Sequence, residues 1–189
     1  MSQLTKHALV DSFKKLLKKK PLKKITVSDI TSECGINRMT FYYHFKDIYD
    51  LVEWEFSDKF RAALGEIGNY DTWQRAYLQV YLMVLDEKDF IQRIFPSMEL
   101  SNIEKFLFKS ARELIVRAID TFPESLQLSK EDKLFISEFY QYAMVGTFLN
   151  WISGGMTEDP VQIVDRFSLM AQGTLPRSIK QFANKKTEE

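Results

Sequence analysis

The sequence contains few of the residues that stabilise disulfide-bonded, zinc-binding or turn-rich proteins. Its 189 residues include a single cysteine, Cys34, which excludes an internal disulfide and a multi-cysteine zinc site. Seven glycines and five prolines are too few for an all-β protein with many tight turns. The longest apolar run, Val80 to Leu85, is far shorter than the roughly 20 residues of a membrane span. No secretory signal follows the N-terminal lysines, so we expect a cytoplasmic location and no membrane partner.

The chain carries no net charge, but its charges are unevenly distributed. Residues 1–46 hold ten Lys and Arg against three Asp and Glu, whereas the remaining residues hold sixteen against twenty-three. The first segment is therefore +7 and the rest is −7. Such a basic segment predicts a polyanionic partner, although a solvated lysine face is the alternative on charge alone. Within the lysine cluster 14–24, we expect Lys23 or Lys24 to contribute to such binding.

Apolar residues recur at helical spacing along almost the whole chain. Leu9, Phe13 and Leu17 share one stripe of a first helix, which Pro21 ends. No stretch alternates between apolar and polar residues as a strand does, so the predicted fold class is all-α. We expect a small N-terminal head of three helices and a larger C-terminal bundle. The helices predicted for the bundle are approximately Thr72–Asp86, Glu87–Phe95, Glu99–Phe122, Lys130–Ser153 and Pro160–Gln172, with a short one after Pro176.

Residues Thr26 to Phe45 have the pattern of two short helices joined by a tight turn. Thr26 can cap the first helix, with Asp29 as the acid of a capping box. Gly35 suits the left-handed conformation that ends a helix, and Asn37 can cap the second helix. This spacing is typical of a helix-turn-helix, whose second helix lies in the major groove of DNA.

The second of these helices has one apolar face and one polar face. Phe41 and Phe45 fall on the same side at helical spacing and would hold the helix against the first. The opposite face, which contains no acid, consists of Met39, Tyr42, Tyr43 and Lys46. Arg38 has the forked guanidinium that suits a guanine edge. Thr40 and His44 lie on a flank, where they could reach phosphates or a thymine methyl group.

The run TVSDITSECGINRMTFYYHFKDIYDL, residues 26–51, resembles the DNA-binding signature of TetR/AcrR-type bacterial regulators. The matching positions are Thr26, Val27, Ile30, Cys34, Gly35, Ile36, Thr40, Phe41, Tyr42, His44, Phe45 and Leu51. The resemblance implies a cytoplasmic homodimer that binds palindromic double-stranded operator DNA. We expect a repressor, but the sequence does not decide between repression and activation. It also implies a DNA-binding domain at residues 1–48 and a helical domain for ligand binding and dimerisation at residues 49–189. An unknown small-molecule effector or partner protein would switch such a regulator.

The same resemblance implies roles for individual residues. By motif position, the residues expected to contact phosphates are Thr26, Tyr42, His44 and Lys46. Those expected to approach base edges are Arg38, Met39, Thr40 and Tyr43. Ile48 stands where the family usually has a lysine, which removes one clamp on the DNA backbone. The chain before Lys6 is short and uncharged, so we expect no arm in the minor groove.

A second, looser resemblance narrows the family and keeps an alternative open. The runs KHALVDSF and FYQYAMVGTFLNWISGGMTEDPVQIVDRF resemble the subgroup of dihydroxyacetone-kinase regulators. Some members of that subgroup are thought to work with kinase-like partners. The alternative function is therefore a helical interaction module or co-regulator that acts mainly through such a partner, with DNA binding secondary.

The predicted bundle contains aromatic residues that either line a ligand cavity or form ordinary core. The candidates for the cavity are Trp73, Tyr77, Tyr81, Phe106, Tyr140, Met144, Phe148 and Trp151. Small residues at Ala143, Gly146 and Thr147 would let a second helix approach closely, as a dimer contact requires. Val164 and Phe167 from the next helix are expected to complete that interface.

The residues that carry enzyme chemistry do not form a recognisable set. The two histidines lie far apart, the sole cysteine has no evident activating base, and no phosphate-binding Gly-rich loop occurs. We therefore expect no catalytic residue, no metal and no cofactor.

Overall fold

The computed structural model describes residues 2–64, 73–97 and 101–185, and these residues are mostly helical with no strand among them. The predicted all-α fold is therefore confirmed for this part of the chain. No described helix is long and apolar enough to cross a membrane. In chain order the α-helices are α1 (Ser2–Lys19), α2 (Val27–Cys34), α3 (Arg38–His44), α4 (Ile48–Leu64), α5 (Trp73–Asp86), α6 (Lys88–Ile94), α7 (Ser101–Asp120), α8 (Lys130–Ser153) and α9 (Pro160–Lys185). Short 3-10 turns occur at Leu22–Lys24, Phe95–Ser97 and Pro123–Gln127.

The predicted caps of the helix-turn-helix are confirmed. The backbone N–H of Thr26 donates to Asp29 Oδ2 at 2.8 Å, and Thr26 Oγ1 accepts from the Asp29 N–H at 3.2 Å, which completes a capping box. Gly35 has φ 72°, the left-handed conformation expected at the end of α2. The side chain of Asn37 accepts from the Met39 N–H at 2.8 Å and so begins α3. These local bonds define the turn between the two helices.

The C-terminal helix is longer than predicted. Its expected end at Gln172 and the separate helix after Pro176 are wrong, because α9 continues through Pro176 to Lys185. A proline inside a helix removes one backbone hydrogen bond and disfavours the helix. Here Leu175, Ile179 and other residues at helical spacing on both sides of the proline are buried, so tertiary packing offsets that cost. The predicted starts at Thr72 and Glu99 lie outside the described residues.

The chain forms two compact units. The first comprises Met1–Arg61 and Glu87–Ile103, and the second comprises Ala62–Asp86 and Glu104–Glu189. The first unit thus extends past residue 48 and includes a second chain segment with α6. The functional division that we place between residues 48 and 49 stays a prediction.

The core of the first unit joins α1 to the helix-turn-helix and to α4. Leu9, Phe13 and Leu17 of α1 are almost completely buried, as the stripe in the sequence predicted. They belong to one apolar cluster with Ile30, Phe41, Phe45, Leu51 and Val52. Each large apolar side chain buried in this way stabilises the fold by roughly 1.5–3 kcal/mol before entropic costs. The cluster therefore holds α3 on a rigid base.

Candidate nucleic-acid interface

The helix α3 is anchored on one side and open on the other. Phe41 and Phe45 are buried, with their ring centroids 5.8 Å apart, so they fix the inner side of α3 to the core. On the outer side, Met39 is 73% exposed, Tyr42 47% and Tyr43 83%. Large apolar and aromatic side chains on a monomer surface are an unusual arrangement when they cluster in this way. The predicted division of α3 into an inner and an outer face is confirmed.

Polar groups at the start and end of α3 extend this outer face. The guanidinium of Arg38 donates to Tyr42 Oη over a long distance of 3.5 Å, so the two side chains lie together on the surface. Lys46, which follows the helix, is exposed, and its backbone N–H donates to Asp50 Oδ2 at 2.7 Å. The α3 sequence contains no acid. The outer face can therefore donate hydrogen bonds and stack without repelling phosphate.

The two flanking residues of α3 are partly buried. Thr40 and His44 are half-buried, and the His44 ring contacts Tyr43 edge to face at 5.0 Å between centroids. The flank position predicted for both is confirmed, whereas their roles toward phosphates stay predictions. Thr26 is already engaged, because its hydroxyl donates to Asp29 Oδ2 at 2.7 Å. A phosphate contact from Thr26 would have to compete with this bond.

The positive charge around α3 is partly neutralised within the protein. Lys20 pairs with Asp29 at 2.7 Å, and hydrogen bonds from Lys20 and Thr26 lower the pKa of Asp29 to about 2. Lys14 is held by two glutamates of its own unit, so it is not available as a free cation. Lys23 and Lys24 are exposed in the 3-10 turn before α2. Of the lysine cluster, these two remain the candidates that we expected.

The structure shows what the isoleucine at position 48 does in place of the usual lysine. Ile48 is half-buried and packs against the apolar cluster of the first unit. The start of α4 is held instead by Asp47 Oδ1, which accepts from the Asp50 N–H at 2.9 Å. Position 48 therefore contributes apolar packing and offers no charge to DNA.

In the described part of the second unit, three of the predicted cavity residues line the same cavity. A cavity of about 20 Å³ has apolar walls that include Trp73, Tyr140 and Met144 of the predicted set. The other residues that line it are Leu114, Ile115, Ala118, Phe167, Ala171 and Leu175. A void of this size holds roughly one water molecule. In this conformation the cavity is too small for an organic effector.

Four of the other predicted cavity residues contact one another. The Tyr81 ring lies 5.0 Å from Phe148 and 4.8 Å from Trp151 between centroids, so these three form an aromatic core. Tyr77 Oη donates to the Met144 carbonyl at 2.8 Å and lies 3.0 Å from Thr147 Oγ1. Burial raises the pKa of Tyr77 and of Tyr81, so both phenols stay neutral at physiological pH. Phe106 does not line the cavity.

The residues predicted for a dimer contact divide into two groups. Ala143, Gly146 and Thr147 are exposed on α8, and a Cβ added at Gly146 would meet no atom within 4 Å. Val164, in contrast, is buried in the protomer's own core. Phe167 packs edge to face on Trp73 and Tyr77 of the same chain. The place of both residues in a dimer contact stays a prediction.

Exposed apolar residues that the sequence analysis did not select lie on the same two helices. Phe135, Phe139 and Tyr142 on α8 are all more than half exposed, and so are Leu169 and Met170 on α9. On α8 these three recur at the spacing of one helical face that continues to Gly146. The sequence does contain a sign of this exposed face, because α8 carries apolar residues on nearly all of its sides. A helix that buries only one face needs fewer of them.

Comparison with known proteins agrees with this architecture. Residues 9–53 match a family model described as bacterial regulatory proteins of the tetR family. Residues 71–173, more than half of the chain, match a model described as a transcriptional regulator C-terminal region. The chain belongs to the tetR family of bacterial regulators. This tetR-family chain is therefore a transcriptional regulator rather than an enzyme.

Individual relatives support the narrower resemblance. The HTH-type dhaKLM operon transcriptional activator DhaS of Lactococcus lactis subsp. lactis (strain IL1403) is 34% identical to the tetR-family chain over 95 residues. The aligned part spans 50% of each protein, so the chain matches about half the length of this curated relative. A solved structure of a dihydroxyacetone kinase operon activator DhaS has a TM-score of 0.68 and covers 94% of this chain and 97% of its own, at 24% identity. That solved structure therefore has the same fold as this chain.

Proposed function

We propose that the chain binds palindromic operator DNA as a homodimer and that an effector or a partner protein controls this binding in the cytoplasm. The observation that carries the proposal is the outer face of α3. It presents exposed Met39, Tyr42 and Tyr43, contains no acid, and stands on a base of buried phenylalanines. Since a helix presented in this way fits the major groove, α3 is the recognition helix of the proposal.

The contacts with DNA divide into two kinds. Tyr42 and Lys46 would contact phosphates, which position the protein without reading sequence. Arg38 would donate both arms of its guanidinium to a guanine edge, which does discriminate between bases. Met39 and Tyr43 would approach base edges from the centre of the exposed face. Thr40, His44 and Thr26 remain candidate phosphate or methyl contacts on the flanks.

The homodimer is supported by the apolar face that α8 and α9 leave uncovered in one chain. Phe139 and Tyr142 of α8 and Leu169 and Met170 of α9 are exposed, and Gly146 has open space beside it. A twofold pairing of these helices would bury the apolar face against its own copy. Two recognition helices about 34–36 Å apart would then meet successive major grooves on one side of the DNA.

The one cavity described in the second unit bears on the control of DNA binding. The cavity beside Trp73 and Tyr140 has a volume of about 20 Å³. An effector that bound at this cavity would have to displace side chains, and it would shift the equilibrium only if it bound one dimer conformation better than the other. A partner protein that binds the exposed part of α8 is the other route. The relatives named DhaS are described as activators, so repression is not part of the proposal.

The test is a selection of bound fragments from a random DNA pool, followed by fluorescence anisotropy titration of the enriched site. We expect a palindrome to be enriched. The Arg38→Ala variant should lose about 1–3 kcal/mol of discrimination at one base pair of each half-site. The Tyr42→Phe/Lys46→Ala double variant should weaken binding to all sequences and reduce the logarithmic salt slope by about 0.9 for each phosphate that is no longer neutralised.

The matched control is Lys130→Ala, which removes the same charge at an exposed position on α8. Its affinity should equal that of the wild type. Unchanged binding in both α3 variants would refute the assignment of α3. If no fragment is enriched and a heterologous protein instead co-purifies with the chain, the alternative function as an interaction module replaces the proposal.

A further inference from the structure

Two side chains on the outer face of α3 contact each other one helical turn apart. Arg38 is the first residue of α3, and Tyr42 lies four positions later. Residues at this spacing are neighbours on one side of a helix. Arg38 Nη2 donates to Tyr42 Oη at 3.5 Å, and we call these two residues the Arg38–Tyr42 pair. The pair therefore joins a side chain that could read a base to one that could contact a phosphate.

The chemistry of the two side chains fixes the direction of this hydrogen bond. A guanidinium has several N–H donors and no acceptor, whereas a phenol oxygen can accept hydrogen bonds and also donate its own hydrogen. Arg38 must therefore donate and Tyr42 must accept. The hydroxyl hydrogen of Tyr42 is left for another acceptor, such as a phosphate oxygen. Arg38 keeps enough donors to bind both the N7 and the O6 atoms of a guanine.

Tyr42 is the anchored member of the pair. Its ring packs edge to face on Phe41, with the ring centroids 5.6 Å apart and the planes at 83°, and Phe41 is completely buried. A tyrosine side chain has few rotatable bonds, whereas an arginine side chain has many and loses more conformational entropy when it is held in one place. An anchored tyrosine can therefore order the arginine before DNA arrives and reduce the entropy that is lost on binding.

The neighbouring acids are engaged elsewhere and leave the guanidinium to Tyr42. The α3 sequence contains no Asp or Glu. On the helices beside it, Asp29 pairs with Lys20 at 2.7 Å, and Asp50 accepts from the Lys46 N–H. Water is the competitor in the free protein, because both members of the pair are exposed. A DNA groove would exclude part of this water, and a hydrogen bond becomes stronger in surroundings of lower dielectric constant.

We propose that Tyr42 is a positioning residue for base reading, which holds the Arg38 guanidinium toward a guanine while its own hydroxyl donates to a phosphate. The pair then links a contact that places the protein on the DNA backbone to a contact that reads sequence. Tyr42 determines specificity through Arg38, in addition to its own contribution to affinity. The inference rests on the proposed function as a DNA-binding regulator.

The test is a double-mutant cycle on discrimination at one base pair. The selected operator is compared with a copy in which adenine replaces the guanine whose preference is lost in Arg38→Ala. The ratio of the two dissociation constants is the discrimination, and fluorescence anisotropy measures both constants at one salt concentration. The proteins of the cycle are the wild type, Arg38→Ala, Tyr42→Phe and the double variant.

The matched control is Tyr49→Phe. Tyr49 and Tyr42 are both 47% exposed, and each substitution removes one hydroxyl and keeps the ring. Tyr49 lies on α4, outside the pair. Because both hydroxyls are exposed, thermal unfolding of the two variants should match that of the wild type. A difference in discrimination then reports on the pair and not on the stability of the fold.

Tyr42→Phe should lower the discrimination at this base pair about threefold to tenfold, a usual size for coupling between side chains in contact. Its discrimination at the other base pairs should stay unchanged, although its affinity for every sequence falls with the lost phosphate contact. In the Arg38→Ala background, the same substitution should leave the discrimination unchanged, because the group that Tyr42 positions is absent. Tyr49→Phe should keep the discrimination of its parent protein in both backgrounds.

Several outcomes overturn the positioning role. Unchanged discrimination in Tyr42→Phe does so, and so does an equal loss at every base pair. A loss that is the same with and without Arg38 shows that Tyr42 acts independently of it. If the wild type selects an operator but Arg38→Ala changes the discrimination at no base pair, Arg38 reads no base and the inference fails while DNA binding stands.

A measurement on the free protein separates this inference from the proposed function. If the wild type enriches no DNA, the proposed function fails, and the motion of the Arg38 side chain alone decides whether Tyr42 holds it. NMR relaxation of Arg38 Nε reports that motion, and the signal is identified by its loss in Arg38→Ala. Larger motion in Tyr42→Phe than in Tyr49→Phe supports the positioning of Arg38 by Tyr42, and equal motion overturns it.

Discussion

Replacement of Gly146 by alanine should have opposite effects on the isolated protomer and on the proposed homodimer. A Cβ added at this position meets no atom within 4 Å in the single chain, so the methyl group causes no clash there. Glycine inside a helix costs about 1 kcal/mol relative to alanine. The protomer should therefore become more stable by up to about 1 kcal/mol.

In the homodimer the same methyl group would meet the partner. An extra methyl in a close helix contact costs about 1–3 kcal/mol, and a twofold interface contains the substitution twice. The total of about 2–6 kcal/mol corresponds to a dimer dissociation constant raised at least about tenfold, since 1.4 kcal/mol is a factor of ten. Operator binding should weaken in parallel at low protein concentration.

The assay is sedimentation velocity over a range of protein concentrations, combined with thermal unfolding of the dilute protein. Gln79→Ala, at an exposed position in the middle of α5, is the control and should leave the dissociation constant unchanged. A Gly146→Ala protein that is more stable and dimerises as tightly as the wild type would refute the assignment of this part of α8 to the dimer contact. The exposed aromatic face would then belong to a different partner.

Three further predictions concern stability. Gly35→Ala should destabilise the protein by about 1–2 kcal/mol, because φ is 72° and only the left-handed conformation, not space, opposes the methyl group; thermal unfolding should show a smaller loss for Gly35→Asn. The pKa of Asp29 falls on folding from 3.8 to about 2, so the carboxylate stabilises the fold above about pH 4 and this contribution disappears as the pH falls to 2. Denaturant unfolding of Asp29→Asn should accordingly depend less on pH in that window, and an unchanged pH profile would contradict the capping box. Tyr77→Phe should cost about 1–1.5 kcal/mol in denaturant unfolding, because it removes a buried hydroxyl that donates to the Met144 carbonyl; a neutral effect would show that the bond contributes nothing.

The helix-turn-helix was predictable from sequence because its determinants are local. The capping box of Thr26 and Asp29, the left-handed Gly35 and the inner position of Phe41 each depend on residues only a few positions apart. Their geometry follows from hydrogen-bond reach and helical phase. The same reasoning located the outer face of α3 with Met39 among its exposed residues.

The exposed and buried faces of the C-terminal helices α8 and α9 could not be predicted as well from the sequence. Helical phase does not tell which of several apolar faces is covered when α8 is apolar on most sides. Val164 was expected at a dimer contact but lies in the protomer's core, whereas Phe139 and Leu169 remain exposed. Only the packing of α8 and α9 decides which apolar residues are left uncovered. The continuation of α9 through Pro176 has the same origin.

The amino-acid sequence by itself determined the all-α class, the family and the inner and outer faces of α3, because these depend on periodicity, caps and closely spaced motif residues. Only the tertiary structure decided that Lys14, Glu55, Lys59 and Glu87 meet in one ring. It also decided that Tyr81, Phe148 and Trp151 pack together, and that Trp73, Tyr140 and Met144 line a small cavity. Such contacts join residues far apart in the chain, and their formation depends on how whole helices pack rather than on any local pattern.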